Sequence, residues 1–595
     1  MGISHPLCKF KPFLKGRIIM LKRNIAGLLA ICLALSLLFA SCSSAEFTVR
    51  LEGNYTNATY TEETVRSGKT LSAADPTREG YVFIGWFKDA GLTEKWDLGK
   101  DKVRSDMTLY AGWDKDTGDS VGNPGGDKDF SGLRSPGSQE SAYDYGFFFL
   151  PGMDGTSQPY VGDTMPYYED GVYYIYYLKD AGDSYNHSIY LATTTDFVTY
   201  TEYDEPILEA NRNGGQDSWI GTGSVVKVDG KYYFFYTGHG NGEVLEYAEK
   251  VMVAVGDTPT SFEKKEGWAI TPPSELGQKN DFRDPQAYID PETGNIVLTI
   301  TASQSGTARI LKYTLSPDLQ NTHYDGIIFT NPVGNFWNLE CSDTFRIGDT
   351  YYITYSAQDD TLWYAFSDTP YGPYGAPIRL DGKLFYAAKH VEDGDKYYMV
   401  GWARRSESAS STQDVAAWAG NLAVQEIIQN PDGTLALDPV DSIVDHFSVR
   451  RELLVEGETH AFVEAGAAYN YVDAFTCYES YMITGEFTFT GQGSFGLSFD
   501  YNGRAEKNKL IAISPADGTL SLQFNEGNTP ITETAVSLTA GETYSFVYIQ
   551  EGSVGIFYIE GLAALTVRLY GASGKAVQFF SENNAVLFTC LRQYT

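Results

Sequence analysis

Cations are scarce in this chain. Only 44 Lys and Arg stand against 77 Asp and Glu, a formal charge of −33 over 595 residues. Nucleic acid is held through Lys and Arg by counterion release, so this balance argues against such a partner and favours a neutral or basic one. Cysteine is scarcer, with six residues and no Cys-x-x-Cys spacing. No disulfide framework or metal site is expected from that pattern, and no metal or organic cofactor is indicated. Apolar runs are short; the stretch from Ile25 to Ala40 is too brief for a spanning helix. Tyr (43) and Gly (60) are plentiful, and 43 % of residues are hydrophobic. That is enough for packed cores and excludes wholesale disorder. Tyr favours strands and Gly favours turns, so an all-β chain of about three or four domains is expected. Tyr-rich surfaces of this kind often handle sugars.

The first segment is for targeting. Met20 opens Met-Leu-Lys-Arg, the apolar run follows, and Ser41-Cys42-Ser43-Ser44 closes it. A basic start, a short apolar stretch and small residues at the break describe a secretory signal over residues 1–41. Residues 1–19 look like an over-extended start. Leu38-Phe-Ala-Ser-Cys42 resembles the lipobox of a bacterial lipoprotein. That resemblance implies lipid attachment at Cys42 and a place in the cell envelope, periplasmic or outside, with the membrane met only through the anchor. An ordinary signal that happens to contain Cys is the alternative.

Residues 46–114 form a block of short strands marked by Pro76-Thr-Arg-Glu-Gly-Tyr-Val-Phe-Ile-Gly-Trp86 and Thr108-Leu-Tyr-Ala-Gly-Trp113. The block resembles the internalin-type B repeat (Listeria–Bacteroides repeat), a small β-grasp-like module, which implies a spacer or adhesion unit. Trp86 and Trp113 are core residues on the simpler view and a ligand platform on the other. Residues 115–140, rich in Gly, Asp and Ser, read as a flexible tether.

The central region repeats itself. Asp170-Gly-Val-Tyr-Tyr-Ile-Tyr-Tyr is echoed by Asp229-Gly-Lys-Tyr-Tyr-Phe-Phe-Tyr, and weaker copies begin at Thr293, Gly348 and Gly394. Each is a tight turn entering a strand of β-branched and aromatic residues. The copies start roughly 45 to 65 residues apart, about one four-stranded blade. Five copies predict a five-bladed β-propeller over 141–440. Alternating strands over 441–595 predict a β-sandwich.

A propeller gathers residues distant in sequence around one axis. Three acids stand in unusual settings: Asp163 in Tyr160-Val-Gly-Asp-Thr-Met-Pro166, Asp284 in Phe282-Arg-Asp-Pro285, and Glu340 in Trp337-Asn-Leu-Glu-Cys341. Glycoside hydrolysis needs two carboxyl groups, one ionised and one protonated. Taken alone, Asp284 also fits a turn acid, Asp163 a turn cap and Glu340 an exposed strand position. Arg283 also fits a structural ion pair, His187 a structural hydrogen bond, and Trp219 either a platform at the funnel or blade packing. Asp154 is a rival for the place of Asp163.

Arg283-Asp284-Pro285 and Glu340-Cys341 resemble the Arg-Asp-Pro and Glu-Cys motifs of glycoside hydrolase family 32, the β-fructofuranosidases, levanases and inulinases. Trp219-Ile-Gly-Thr-Gly-Ser224, Phe385-Tyr-Ala-Ala-Lys389 and Gly401-Trp402 are similar to further family elements. The resemblance covers about residues 141–595 and implies a five-bladed propeller followed by a sandwich. It implies a retaining hydrolase of fructans or sucrose-like glycosides, with Asp163 as nucleophile, Asp284 stabilising the transition state and Glu340 as acid/base. Arg283 and Trp219 would contact substrate. The chain departs from the family's Asn-Asp-Pro-Asn-Gly at Gly162-Asp163-Thr164, where the Asn that would hold the sugar is missing. Two alternatives stay open: an inverting arabinan or xylan hydrolase of the related family 43 class, and a sugar-binding lipoprotein with a decayed site.

Overall fold

The computed structural model describes residues 46–115 and 145–595, less the stretches 56–58, 91–94, 153–157, 181–186, 241–244, 407–415, 455–460, 500–507 and 571–574 and scattered positions besides. Cys42, nearly all of the tether and the rival acid Asp154 lie outside the described residues. Two units are present, residues 1–127 and 128–595. Both are all-β. Among the described residues, helix is confined to Asp441–His446 and a 3-10 turn at Ser274–Leu276.

The first unit is one five-stranded sheet in the order Tyr60–Arg66, Glu46–Glu52, Met107–Lys115, Tyr81–Phe87, Lys95–Trp96. Val49, Leu51, Trp86, Trp96 and Leu109 form its core. Trp86 is therefore a packing residue. Trp113 is half-buried and donates its indole N–H to Gly53 O at 2.5 Å.

In the second unit, two hairpins turn on Asp-Gly pairs. Asp170 and Gly171 have φ of 51° and 84°, and Asp229 and Gly230 have 51° and 79°. Two consecutive residues with positive φ give the tight turn whose twist matches paired strands, and Gly and Asp tolerate it best. The unit holds three antiparallel sheets of four strands, opening with Trp219–Val228, Phe282–Ile289 and Glu340–Ile347. An eight-stranded sheet combines Phe385–Glu392, Tyr397–Ser406, Ala416–Gln429 and Leu435–Asp438 with Tyr160–Glu169 and the three strands after it. Its two halves meet through the single pair Gly420–Val161. Tyr160–Glu169 and the four opening strands from Trp219, Phe282, Glu340 and Phe385 neighbour one another in that order, and the last returns to the first.

The remaining strands form a seven-stranded and a six-stranded sheet. They share one core containing Phe487, Phe495, Phe546, Phe579 and Phe588, and the Phe579 and Phe588 rings stack at 3.8 Å. A polar seam joins these sheets to the preceding ones. Arg568 is buried and donates to Arg404 O at 3.0 Å, Ala403 O at 2.7 Å and Asn421 Oδ1 at 2.8 Å. Asp381, also buried, accepts from Thr566 N at 3.0 Å and Thr566 Oγ1 at 2.7 Å. Such a seam fixes the docking because every buried polar group needs its partner. Arg568→Ala strands several acceptors at once. We predict a loss of about 3 kcal/mol or more in denaturant unfolding, well beyond that of an exposed Arg→Ala.

Candidate active site

The five neighbouring strands carry the same irregularity at the same level. In Tyr160–Glu169 the pairing passes from Gly162–Leu178 to Thr164–Tyr177, which leaves Asp163 as the extra residue. Thr222 is the extra residue in the second strand. Equivalent register shifts lie between Arg283 and Gln286, Glu340 and Asp343, and Tyr386 and Lys389. Within these, Asp284, Cys341 and Ala387 have φ of 56°, 50° and 49°. A β-bulge bends its strand and re-aims a side chain. Left-handed φ at a non-Gly residue is strained, and strain of this kind gathers at functional sites.

The bulges are tied to one another. Thr222 Oγ1 donates to Asp163 Oδ2 at 2.8 Å. Cys341 N donates to Asp284 Oδ2 at 2.8 Å. Thr237 Oγ1 receives Asp284 N at 2.8 Å and donates to Thr222 O at 3.0 Å. Thr164 Oγ1 reaches Val400 O at 2.7 Å, and Ala387 N donates to Ser356 Oγ at 2.9 Å. Lys389 is buried beneath them and donates to Gly223 O at 2.9 Å and Gln286 Oε1 at 3.2 Å.

Asp163, Asp284 and Glu340 are thereby brought together, with Arg283 among them. Arg283 Nη2 donates to Glu340 Oε1 at 2.8 Å, and its Nε lies 3.9 Å from Asp284 Oδ2. Its Nη1 lies 3.4 Å from Glu249 and 3.5 Å from Asp281. Glu340 receives a second hydrogen bond, from Tyr386 OH to Oε2 at 2.6 Å. Glu249 and Tyr386 were not expected from the sequence. Tyr386 carried a signal, since it lies in the Tyr-Ala-x-Lys-like run; Glu249 sits at a strand start with no motif around it.

Burial pushes the Asp163 carboxyl above its ordinary value and the Glu340 charge adds to that, while the Thr222 bond and the Trp402 indole oppose them. Burial likewise pushes Asp284 up to about 7, against Arg283 and the Cys341 amide; Asp163 and Glu340 raise it further. For Arg283, burial would lower the guanidinium, but Glu249, Asp284 and Glu340 together hold it above its ordinary value. Burial also raises the Cys341 thiol well above its usual range, so Cys341 is a packing residue and no thiolate nucleophile.

An aromatic wall borders Asp163. Trp219 Nε1 donates to His187 Nδ1 at 2.8 Å. His187 stacks on Trp418 with centroids 4.4 Å apart, and Trp219 stacks on His239 at 4.8 Å. Burial, with His187 and Arg283 adding to it, lowers His239 to about 4, so it is neutral near pH 7. A Cβ placed on Gly162 would lie 2.3 Å from the Trp418 ring. The glycine that replaces the expected Asn is thus what admits Trp418.

Residues 163–439 match the model of the glycosyl hydrolases family 32 N-terminal domain, and residues 47–112 that of the Listeria–Bacteroides repeat domain. Raffinose invertase of Escherichia coli is 26 % identical over 303 residues, 46 % of this chain and 61 % of that enzyme. Sucrose-6-phosphate hydrolase of Escherichia coli is 25 % identical over 273 residues, 42 % and 55 %. The chain therefore spans less than two thirds of these relatives' length. Among solved structures, fructan 1-exohydrolase IIa from Cichorium intybus superposes with a TM-score of 0.60 at 15 % identity, covering 76 % of this chain and 97 % of that one. Sucrose-6-phosphate hydrolase from Lactobacillus gasseri gives 0.57 at 18 %, covering 78 % and 97 %. The structural likeness speaks for the fold. Both family resemblances drawn from the sequence are met.

Asp284 makes the fold pH-sensitive. The folded chain keeps its proton up to about pH 7, whereas an unfolded Asp loses it near its ordinary value, about 3.9. The folded state thus binds more protons across that window, and stability falls as pH rises through it. Asp284→Asn keeps an acceptor for Cys341 N and removes the charge. We expect the unfolding free energy of the variant to gain on that of the parent as pH rises from about 5 through 7, by roughly 3 kcal/mol, and to gain little more above it.

Proposed function

We propose that this chain, whose residues 163–439 belong to glycosyl hydrolase family 32, is a glycosidase that hydrolyses β-D-fructofuranosyl linkages with retention of configuration. The observation that carries this is the convergence of Asp163, Asp284 and Glu340, whose charges act on one another, with Arg283 bonded to Glu340 and close to Asp284. The five neighbouring strand groups are read as the five blades of a propeller, and the two phenylalanine-filled sheets as its sandwich.

In the first step Asp163 attacks the anomeric carbon of the fructosyl unit, and Glu340 gives a proton to the leaving oxygen. The attack needs an ionised Asp163. Thr222 serves this by offering a hydrogen bond that favours the charged form. Glu340 begins with both oxygens occupied, by Arg283 and Tyr386. Glu340 must first take up a proton from solvent; the protonated carboxyl then releases one of these donors and turns its O–H to the glycosidic oxygen, and Arg283 retains Glu249 and Asp281 as partners. In the second step Glu340 takes a proton from water, which cleaves the fructosyl ester and frees Asp163. Asp284, anchored by the Cys341 amide, faces the ring hydroxyls as positive charge develops on the sugar.

The substrate is a neutral fructan or sucrose-like glycoside. Trp219, held by His187, forms part of the wall against which it sits, and Trp418 occupies the place of the missing Asn. The signal over 1–41, with lipid attachment at Cys42, would put the enzyme in the cell envelope.

Product release from sucrose, levan, inulin and arabinan tests this. Fructose or fructo-oligosaccharides should appear with the parent, and Glu340→Gln should cut kcat by about 10²–10⁴-fold. Arabinose alone would move the protein to the inverting class, where the two carboxyls stand about 6.5–9.5 Å apart. Silence on all four would favour a sugar-binding protein. Thr222→Val removes a bond that lowers the Asp163 pKa, so the acidic limb of kcat/KM against pH should move to higher pH. An unmoved limb would take Asp163 out of the nucleophile's role.

A further inference from the structure

We propose that the repeat module, residues 46–115, carries a binding site of its own for a neutral glycan. It contains a cavity of about 390 Å³ built from its own strands and turns, inside the range of about 300–1,000 Å³ usual for small-ligand sites. Tyr55, Tyr60 and Tyr110 line it, together with Arg50, Glu52 and Asn54. Tyr55 is 38 % exposed and Tyr60 53 % exposed, while the module's apolar core is formed by other residues. Both rings thus stand outside that core, partly open to the cavity.

Both exposed rings are fixed in advance. The Arg50 guanidinium lies 3.7 Å from the Tyr60 ring centroid, and that of Arg78 lies 4.5 Å from Tyr55. Tyr55 also meets Trp113 edge-on at 6.0 Å. A cation over one face orients a ring, and rings already ordered lose little freedom when a ligand arrives. Arg50 is paired with Glu52 at 2.8 Å, so the charges lining the cavity cancel. That disfavours a phosphate or an acidic peptide. Asn54, held with φ of 55° by a bond from its Nδ2 to Ala90 O at 3.3 Å, adds a carbonyl to the rim. Flat aromatic faces beside a few fixed polar groups match a sugar, whose C–H face packs on the ring while its hydroxyls meet amide, carboxylate and guanidinium.

This site stands apart from the proposed hydrolysis and has a separate consequence. A second glycan site on the same chain turns later encounters with a polymer into intramolecular ones, raising the effective substrate concentration without a new catalytic contact.

The test is affinity electrophoresis of the full chain in gels containing levan, inulin or arabinan, with Glu340→Gln present so that the polymer is not degraded. We expect retardation by at least one of these polymers, reduced about tenfold or more by Tyr55→Ala with Tyr60→Ala and retained by Tyr60→Phe, which keeps the ring. Sucrose turnover by the same tyrosine variants on the parent background should be unchanged, which separates this site from the hydrolytic one. Because Tyr55 and Tyr60 are exposed, thermal unfolding should match the parent and verify the fold. Retardation unaffected by the double substitution, or none in any of the three gels, would overturn the proposal. Retardation only by arabinan would uphold the site and assign it to a glycan other than fructan.

Discussion

Everything at the candidate site depends on one backbone irregularity repeated five times. A regular strand sends alternate side chains squarely to opposite faces, whereas the extra residue of a bulge is re-aimed. The bulge at Asp163 breaks that alternation. Asp163 meets Thr222, while Thr164 turns to Val400 O. The bulges at Asp284 and Cys341 do the same for the third and fourth strands, at the cost of left-handed φ. Their hydrogen bonds run from bulge to bulge, so each strained residue is held by its neighbours.

Electrostatics follows from that placement. Three carboxyls facing one space repel one another, and burial raises both Asp163 and Asp284. Arg283 is the counterweight, bonded to Glu340 and close to Asp284, Glu249 and Asp281. A lysine would not replace it, because only a guanidinium reaches four carboxylates with separate N–H groups. The same carboxyls that suit sugar chemistry make the fold less stable, so the site is retained by the surrounding packing and the polar seam of Arg568 and Asp381.

Much of this was legible in the sequence because it is local. The Asp-Gly turns at 170 and 229 announce hairpins by their chemistry, and Phe282-Arg-Asp-Pro and Glu340-Cys are contiguous motifs that folding carries intact to the site. Glu249 was not legible, since its approach to Arg283 depends on the register between two sheets. Trp418 was hidden for a similar reason: its packing on Gly162 joins residues 256 positions apart in the chain. The glycine was visible as a departure from the family pattern, but not what fills the space it leaves. In the repeat module the sequence offered Trp86 and Trp113 as core residues first and as a ligand platform second. Trp86 lies in the core, and the exposed rings are tyrosines whose exposure no local pattern encodes.

Retention requires a bond between Asp163 and the sugar, and mass spectrometry of a trapped intermediate detects that bond. Glu340→Gln, given an activated fructoside whose leaving group needs no protonation, should complete the first step and stall in the second. The account predicts one fructosyl unit in ester linkage on the peptide containing Asp163. A fructosyl unit on any other residue, or release of fructose with no ester ever accumulating, would contradict it.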